Sequence, residues 1–534
     1  MYLTKRLFHT ASLLAVVVAL SLPAGTAQAQ TTAYRQAVAE GAARDDVLGE
    51  FYRARDFQGL WTGNSEIDIQ RRNALLAAFA GAGDHGLPAA TYDPNALMAR
   101  LRAADTAAEL GAMEVEMSRL FLSYARSVQT GILTPGDVVN EIKRDVPVHD
   151  PLDHLRAFEA SSPAGFLASL PPSTPEYARL LREKLNLERL VATGGWGQTV
   201  QGGTLELGSA GASVIALRDR LVAMGFMERS ATQTYDASLQ AAVQSFQTAH
   251  GLTPDGVAGD ETINQINIPV TARLQQIIVA MERERWLNIE RGERHIWVNM
   301  TDFTASVIDN DTVTFSTRSV IGALDPDRQS PEFSDVMSHM VINPTWYIPR
   351  SIIVNEYLPA LQRNRNALGH LEITNRNGQR INRGSVNFGR YNARTFPFAM
   401  RQPPSTTNAL GQVKFMFPNQ YNIYLHDTPA KALFGREVRA FSHGCIRLND
   451  PFEFAYALLA LQEADPQTFF DAVLATGRER RVNLDTPVPV HLVYRTAFTH
   501  TTGQLNFRRD IYGRDGLIWN ALANEGVAVR AIGG

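Results

Sequence analysis

From about residue 34 to residue 200 apolar side chains recur at three- and four-residue steps, as in Leu75, Leu76 and Phe79 or Met113, Met117, Leu120 and Phe121. That spacing lines one face of a helix and predicts a helix-dominated N-terminal region over 30–200. Loops at Ala160–Pro163 and Pro171–Pro175 punctuate it, and the glycine-rich stretch Gly194–Gly211 reads as a linker. A small unit follows over 205–269. Val214, Leu217, Leu221 and Met224 repeat the helical step until Gly225, and Leu239, Val243 and Phe246 repeat it between the capping residue Asp236 and Gly251. Near Ile296 the period changes. Ile296–Met300, Thr304–Ile308, Val313–Ile321 and Tyr421–Leu425 are rich in aliphatic and aromatic β-formers and are separated by Asn, Asp, Gly and Pro. Asp450, Pro451 and Glu453 then mark a helix start, so that Phe452–Leu461 is expected to pack on the sheet. The fold class is multidomain α+β: a helical N-terminal scaffold, a small helical module, and a β-rich domain over 270–534.

The N-terminus changes the setting. Lys5 and Arg6, the apolar run Ala11–Leu22 and the small-x-small triplet Ala27-Gln28-Ala29 read as an export signal over 1–29, the alternative being an uncleaved anchor. The expected location is periplasmic, with wall association. The formal charge of −3 becomes −5 without the signal, which gives no support to nucleic-acid binding. One cysteine in 534 residues excludes an intramolecular disulfide in an oxidising compartment and leaves a free thiol.

That thiol, Cys445, stands in Ser442-His443-Gly444-Cys445-Ile446-Arg447, with His426 nineteen positions earlier at the end of an expected strand. A cysteine becomes a nucleophile when an imidazole within hydrogen-bond reach stabilises its thiolate and takes its proton. His426, held by a strand, is assigned as the base, with His443 as a lesser catalytic candidate. Gly444 removes a side chain before the nucleophile, and the backbone amides of His443, Gly444 and Cys445 are candidates for an oxyanion hole. Arg447 suits a carboxylate, and Ser442 reads as a structural hydroxyl. Trp61 and His85 read as packing residues. No cofactor is expected, and no His/Glu cluster has zinc-ligand spacing.

The histidine followed by Ser-His-Gly-Cys and then Arg resembles the signature of the L,D-transpeptidase catalytic domain. Asn343–Arg350, Gly411–Phe415, Phe417-Pro418-Asn419 and Pro489–Tyr494 extend the likeness to the family's large multidomain branch. Phe246-Gln247, Gly251-Leu252, Asp255-Gly256, Gly259 and Thr262 resemble the peptidoglycan-binding module, a small three-helix unit, found in many cell-wall hydrolases and transferases. The resemblance implies that the backbone carbonyl of Asp427 orients His426, that Tyr424 and Trp346 line the substrate pocket, and that an insertion over about 350–409 forms a lid. It implies peptidoglycan stem peptides as partners, a tetrapeptide donor and a diamino-acid amine acceptor, with carbapenem-type β-lactams as inhibitors and other cell-wall synthesis enzymes as possible associates. Carboxypeptidase or endopeptidase chemistry by the same cysteine, and a non-catalytic wall-binding scaffold, are the competing readings.

Overall fold

The computed structural model describes residues 24–500 and 503–532, with side chains from Ala29 onward. The basic start and apolar run of the export signal therefore lie outside the described residues. Among the described residues no helix is long and apolar enough to cross a membrane.

The chain divides into two compact units. One contains residues up to 80 together with 92–124 and 149–168; the other contains 81–91, 125–148 and everything from 169. The helical 30–200 region is thus shared between them. In the first unit Trp61 is fully buried, its ring stacked on Phe158 at 5.0 Å and its indole N–H donating to Ser118 at 2.8 Å. It is a packing residue. In the second unit His85 likewise meets the Tyr177 hydroxyl at 3.0 Å, to which Arg285 of the helix Val270–Trp286 also donates at 3.1 Å.

The 205–269 module holds three helices, Ala212–Ala223, Ala237–Ala249 and Asp260–Asn267. Asp236 caps the second by accepting from the Leu239 amide at 2.8 Å, and Gly225 and Gly251 stop the first two with positive φ. Val214, Leu217, Leu221, Leu239, Val243 and Phe246 meet in one small core.

The β-rich domain is built from β1 (Arg294–Asn299), β2 (Thr304–Asp309), β3 (Thr312–Gly322), β4 (Phe333–Ile342), β5 (Trp346–Tyr347), β6 (Glu372–Thr374), β7 (Ala399–Gln402), β8 (Val413–Met416), β9 (Leu425–His426), β10 (Ala440–Ser442), β11 (Ile446–Leu448) and β12 (Arg480–Val493). The main sheet runs β10-β3-β11-β9-β8-β4-β12-β1-β2, and β2 pairs back onto β3. The sheet closes into a barrel-like ring, which leaves few free edges. Ile296, Val298, Phe415, Leu425, Ile446 and Leu448 fill its core, together with Phe454 from the helix Pro451–Leu459. Asp450 stands at the start of that helix, yet its carboxylate accepts from Thr317 and Asn449, at 2.7 Å each, instead of a helix amide. The competing hydroxyl comes from β3 and was invisible to local pattern.

Between β4 and β8 lies the insert. β5, β7 and β6 form a separate three-stranded sheet, preceded in part by the helical stretch Arg350–Arg363, with a core of Ile348, Ile352, Leu358, Leu361, Phe388 and Phe396 among others. The insert begins at Trp346 instead of 350, because Trp346 pairs with Gln402 and Tyr347 with Arg401. Asn408 closes its neck, donating to the carbonyls of Pro344, Gln402 and Pro403.

Candidate active site

β9 and β11 run parallel, with Leu425 opposite Ile446 and His426 opposite Arg447. Parallel neighbours need a crossover of a dozen or more residues, and residues 427–445 supply it, which accounts for the nineteen-residue spacing of His426 and Cys445. Side chains alternate along a strand. Leu425 and Ile446 enter the core, so Tyr424 and His426 on one side of the pair, and Cys445 and Arg447 on the other, are directed to the opposite face. β8 adds Lys414, opposite His426, while its neighbour Phe415 enters the core.

His426 is buried, and its Nδ1 meets the Asp427 carbonyl at 2.5 Å. The Leu410 carbonyl also lies on this imidazole. A carbonyl only accepts, so the nitrogen that meets Asp427, Nδ1, carries a proton. Two backbone carbonyls, of Asp427 and Leu410, thus lie on this imidazole, and the second had no place in the sequence reading. Gly411 makes the approach of Leu410 possible: its φ is +62°, and a Cβ there would overlap the Asp427 side chain at 2.2 Å.

The half-buried thiol of Cys445 donates to the Asn422 carbonyl at 3.6 Å and is in hydrogen-bond contact with the Tyr424 hydroxyl. Loss of solvation pushes it up to about 11, against the opposing pull of Tyr424, Arg447 and Lys414. His426 moves the other way. Burial, reinforced by the positive charge of Arg447, takes it down to about 3. Both directions favour the uncharged forms of the thiol and the imidazole near neutral pH, and among the described residues no hydrogen bond joins Cys445 to His426. Both groups lose solvation, and the thiol's contact with the Asn422 carbonyl favours S–H. Arg447 has a buried Nε with no partner among the described residues, which suits it to an incoming carboxylate. Lys414 stands with its Nζ 5.9 Å from the Tyr424 ring centroid.

Residues 293–490 match the family model of the L,D-transpeptidase catalytic domain. This chain carries an L,D-transpeptidase catalytic domain. Residues 46–185 match a scaffold domain, and residues 210–266 match a domain described as "Putative peptidoglycan binding domain". A Haemophilus influenzae protein named "Putative L,D-transpeptidase" is 30% identical over 240 residues, 44% of this chain and 48% of the relative. The chain thus spans about half the length of that curated relative. Two solved structures, an L,D-transpeptidase (residues 123–326) from Xylanimonas cellulosilytica and one from Stackebrandtia nassauensis, are each 13% identical. They cover 55% and 56% of this chain and 100% and 97% of their own. Their TM-scores of 0.17 and 0.22 are too low to bear on the fold.

Within the L,D-transpeptidase domain three sequence expectations change. The Gly444 amide is already bonded to the Ser442 hydroxyl at 3.1 Å, so the proposed oxyanion hole loses its middle donor. Among the described residues the amides of His443 and Cys445 have no such partner. Ser442 acts as a brace, since its hydroxyl also donates to the Cys445 carbonyl at 2.6 Å, and Gly444 adopts φ +109°, a conformation side chains rarely take. His443, placed with the catalytic residues, directs Nε2 to Glu356 of the insert at 2.8 Å, and Arg328 joins the same carboxylate at 3.2 Å. Trp346 lies in the insert, on β5, edge-on to Tyr357 at 6.4 Å and packed on the insert's own core. Sequence reasoning gave no site role to Lys414, although it stands in the family-like segment Gly411–Phe415, or to Glu356, which had no signal.

Proposed function

We propose that the chain is an exported peptidoglycan L,D-transpeptidase that forms 3→3 cross-links through a Cys445 acyl-enzyme. The observation that carries this reading is the register of β9 on β11, which aligns Tyr424, His426, Cys445 and Arg447 on one face with Lys414 beside them. Sγ attacks the carbonyl carbon of the third residue of a tetrapeptide stem while its proton passes to Nε2 of His426. The C–N bond to the terminal D-Ala breaks, Nε2 returns the proton to the departing amine, and a thioester remains. The side-chain amine of a diamino acid on a second stem then attacks the thioester, Nε2 takes the amine's proton, and Cys445 recovers it as a thiol.

Because the resting thiol is neutral, proton transfer accompanies attack instead of preceding it. The cations Arg447 and Lys414 stabilise the negative charge that develops on the sulfur and on the substrate oxygen, and the His443 and Cys445 amides are candidate donors to that oxygen. Arg447 takes a stem carboxylate. The insert, tied by Glu356 to the loop before the nucleophile, acts as a lid that keeps water from the thioester. The 205–269 module holds the wall, the signal at 1–29 directs the chain to the periplasm, and carbapenem-type β-lactams acylate Cys445.

Incubation of the mature protein with disaccharide-tetrapeptides, followed by mass spectrometry, tests this. Dimers lacking one D-Ala are expected. Tripeptides alone would make the enzyme an L,D-carboxypeptidase, and substrate processing unchanged by Cys445→Ala would remove the cysteine from the chemistry.

A further inference from the structure

The insert carries a charge unlike that of the chain around it. Residues 350–409 hold nine arginines, no lysine or aspartate, and two glutamates, in a protein whose formal charge is −3. Both glutamates are already engaged: Glu356 by His443 and Arg328, Glu372 by Arg401 at 2.8 Å and Arg380 at 3.7 Å. Arg383 turns inward to the carbonyls of Ala367, Leu368 and Leu371. Arg363, Arg365, Arg376, Arg390 and Arg394 are exposed, and among the described residues none is in an ion pair.

The turns that present these arginines are made by asparagine. Asn364 accepts from the Asn366 amide at 3.0 Å, Asn375 from Asn377 at 2.9 Å, Asn387 from Gly389 at 3.1 Å, and Asn392 from the Arg394 amide at 2.9 Å. Aspartate closes such turns equally well, and here each aspartate would cancel a neighbouring arginine. Structural need is met four times by the uncharged member of the pair, so the positive field survives.

We propose that the insert is a polycation face that binds the free carboxylates of peptidoglycan stems around the cleft, drawing the anionic wall toward Cys445. The proposal rests on the peptidoglycan reading above. Stem peptides present several carboxylates on an otherwise neutral glycan, so their charge is opposite to that of the insert. Five exposed guanidinium groups on one small unit add their fields, each reaching about 10 Å at 0.1 M salt, which favours multivalent anions over single ones.

The test is retention of the full mature chain on purified sacculi across a salt series, in a Cys445→Ala background so that covalent capture plays no part. Changing Arg363, Arg365, Arg376, Arg390 and Arg394 together to Gln is expected to lower low-salt retention about tenfold or more and to flatten its salt dependence. The same five changed to Lys should retain binding, and sacculi whose carboxylates have been amidated should behave toward the parent as native sacculi do toward the Gln variant. Unchanged retention by the Gln variant, or full retention on amidated sacculi, overturns the proposal. So does loss of binding to phosphatidylglycerol vesicles with sacculus binding intact, which would make the face a lipid site. Thermal unfolding of the Gln variant and acylation of Cys445 by a β-lactam in its Cys445-containing counterpart, both expected unchanged, show that the fold and site are intact. Failure of that acylation in the unaltered chain would sink the enzymatic reading while leaving the sacculus result to stand or fall by itself.

Discussion

The barrel and the insert solve different problems with different materials. In the barrel, side-chain direction follows from register: once Leu425, Ile446 and Phe415 are buried, Tyr424, His426, Cys445, Arg447 and Lys414 have only the other face to occupy. The insert has short strands, its own smaller core, turns held by asparagine, and arginines directed outward. Groups that need sub-ångström placement sit on or beside paired strands, while groups that need only charge and reach sit on loops. Glu356 joins the two, binding His443 two residues before Cys445.

The largest test of this division falls on the barrel. His426→Ala removes the proposed proton acceptor and is expected to slow acylation of Cys445 by about 10²- to 10⁴-fold, measured by stopped-flow with a chromogenic β-lactam. An equal, mild loss in His426→Ala and His443→Ala would place the base elsewhere. Next is the pH profile of thiol alkylation by neutral iodoacetamide in the free protein. The Cys445 thiol is raised to about 11 and the His426 imidazole lowered to about 3, so between those limits the pair is neutral and the thiolate fraction grows with pH. The rate should rise roughly tenfold per pH unit from pH 6 to 9. A plateau across that window, as a preformed thiolate–imidazolium pair gives, would contradict it.

How much of this the chain declares in advance differs between the two regions for the same reason. The motif around Cys445 and the spacing from His426 are local and were readable, as were the module helices with Asp236, Gly225 and Gly251 as their punctuation. β9 is two residues long, too short for any alternation to show, so the sharing of one face emerges only once β11 is laid beside it. Glu282-Arg283-Glu284-Arg285 is a run of four charges, yet all four are buried at the end of the helix Val270–Trp286. Arg283 pairs with Glu332 at 2.5 Å and Asp515 at 2.8 Å, and Glu284 with Arg291 at 2.6 Å; the Arg283 partners are 49 and 232 residues away, beyond any local pattern. The insert's Glu356 was illegible because its partner His443 lies 87 residues on.

Two smaller effects sharpen the contrast. Arg447→Gln deletes the guanidinium with the unpartnered Nε, and the KM for a tetrapeptide donor should rise about 10- to 100-fold while uncharged thiol reagents react as before. Glu356→Gln loosens the half-exposed tie between insert and barrel and is expected to change turnover by no more than about fivefold, since exposed ion pairs contribute little. The change should appear as more hydrolysis relative to transfer, read from the tripeptide-to-dimer ratio. A larger effect on acylation itself would mean that the insert shapes the nucleophile's loop.

The most direct measurement is intact-protein mass spectrometry of the mature chain quenched in acid during reaction with a disaccharide-tetrapeptide. A hydroxylamine-labile adduct on Cys445 with the mass of the donor minus D-Ala is predicted, absent from Cys445→Ala and strongly reduced in His426→Ala. An adduct on another residue, or turnover with Cys445 never modified, would contradict the account.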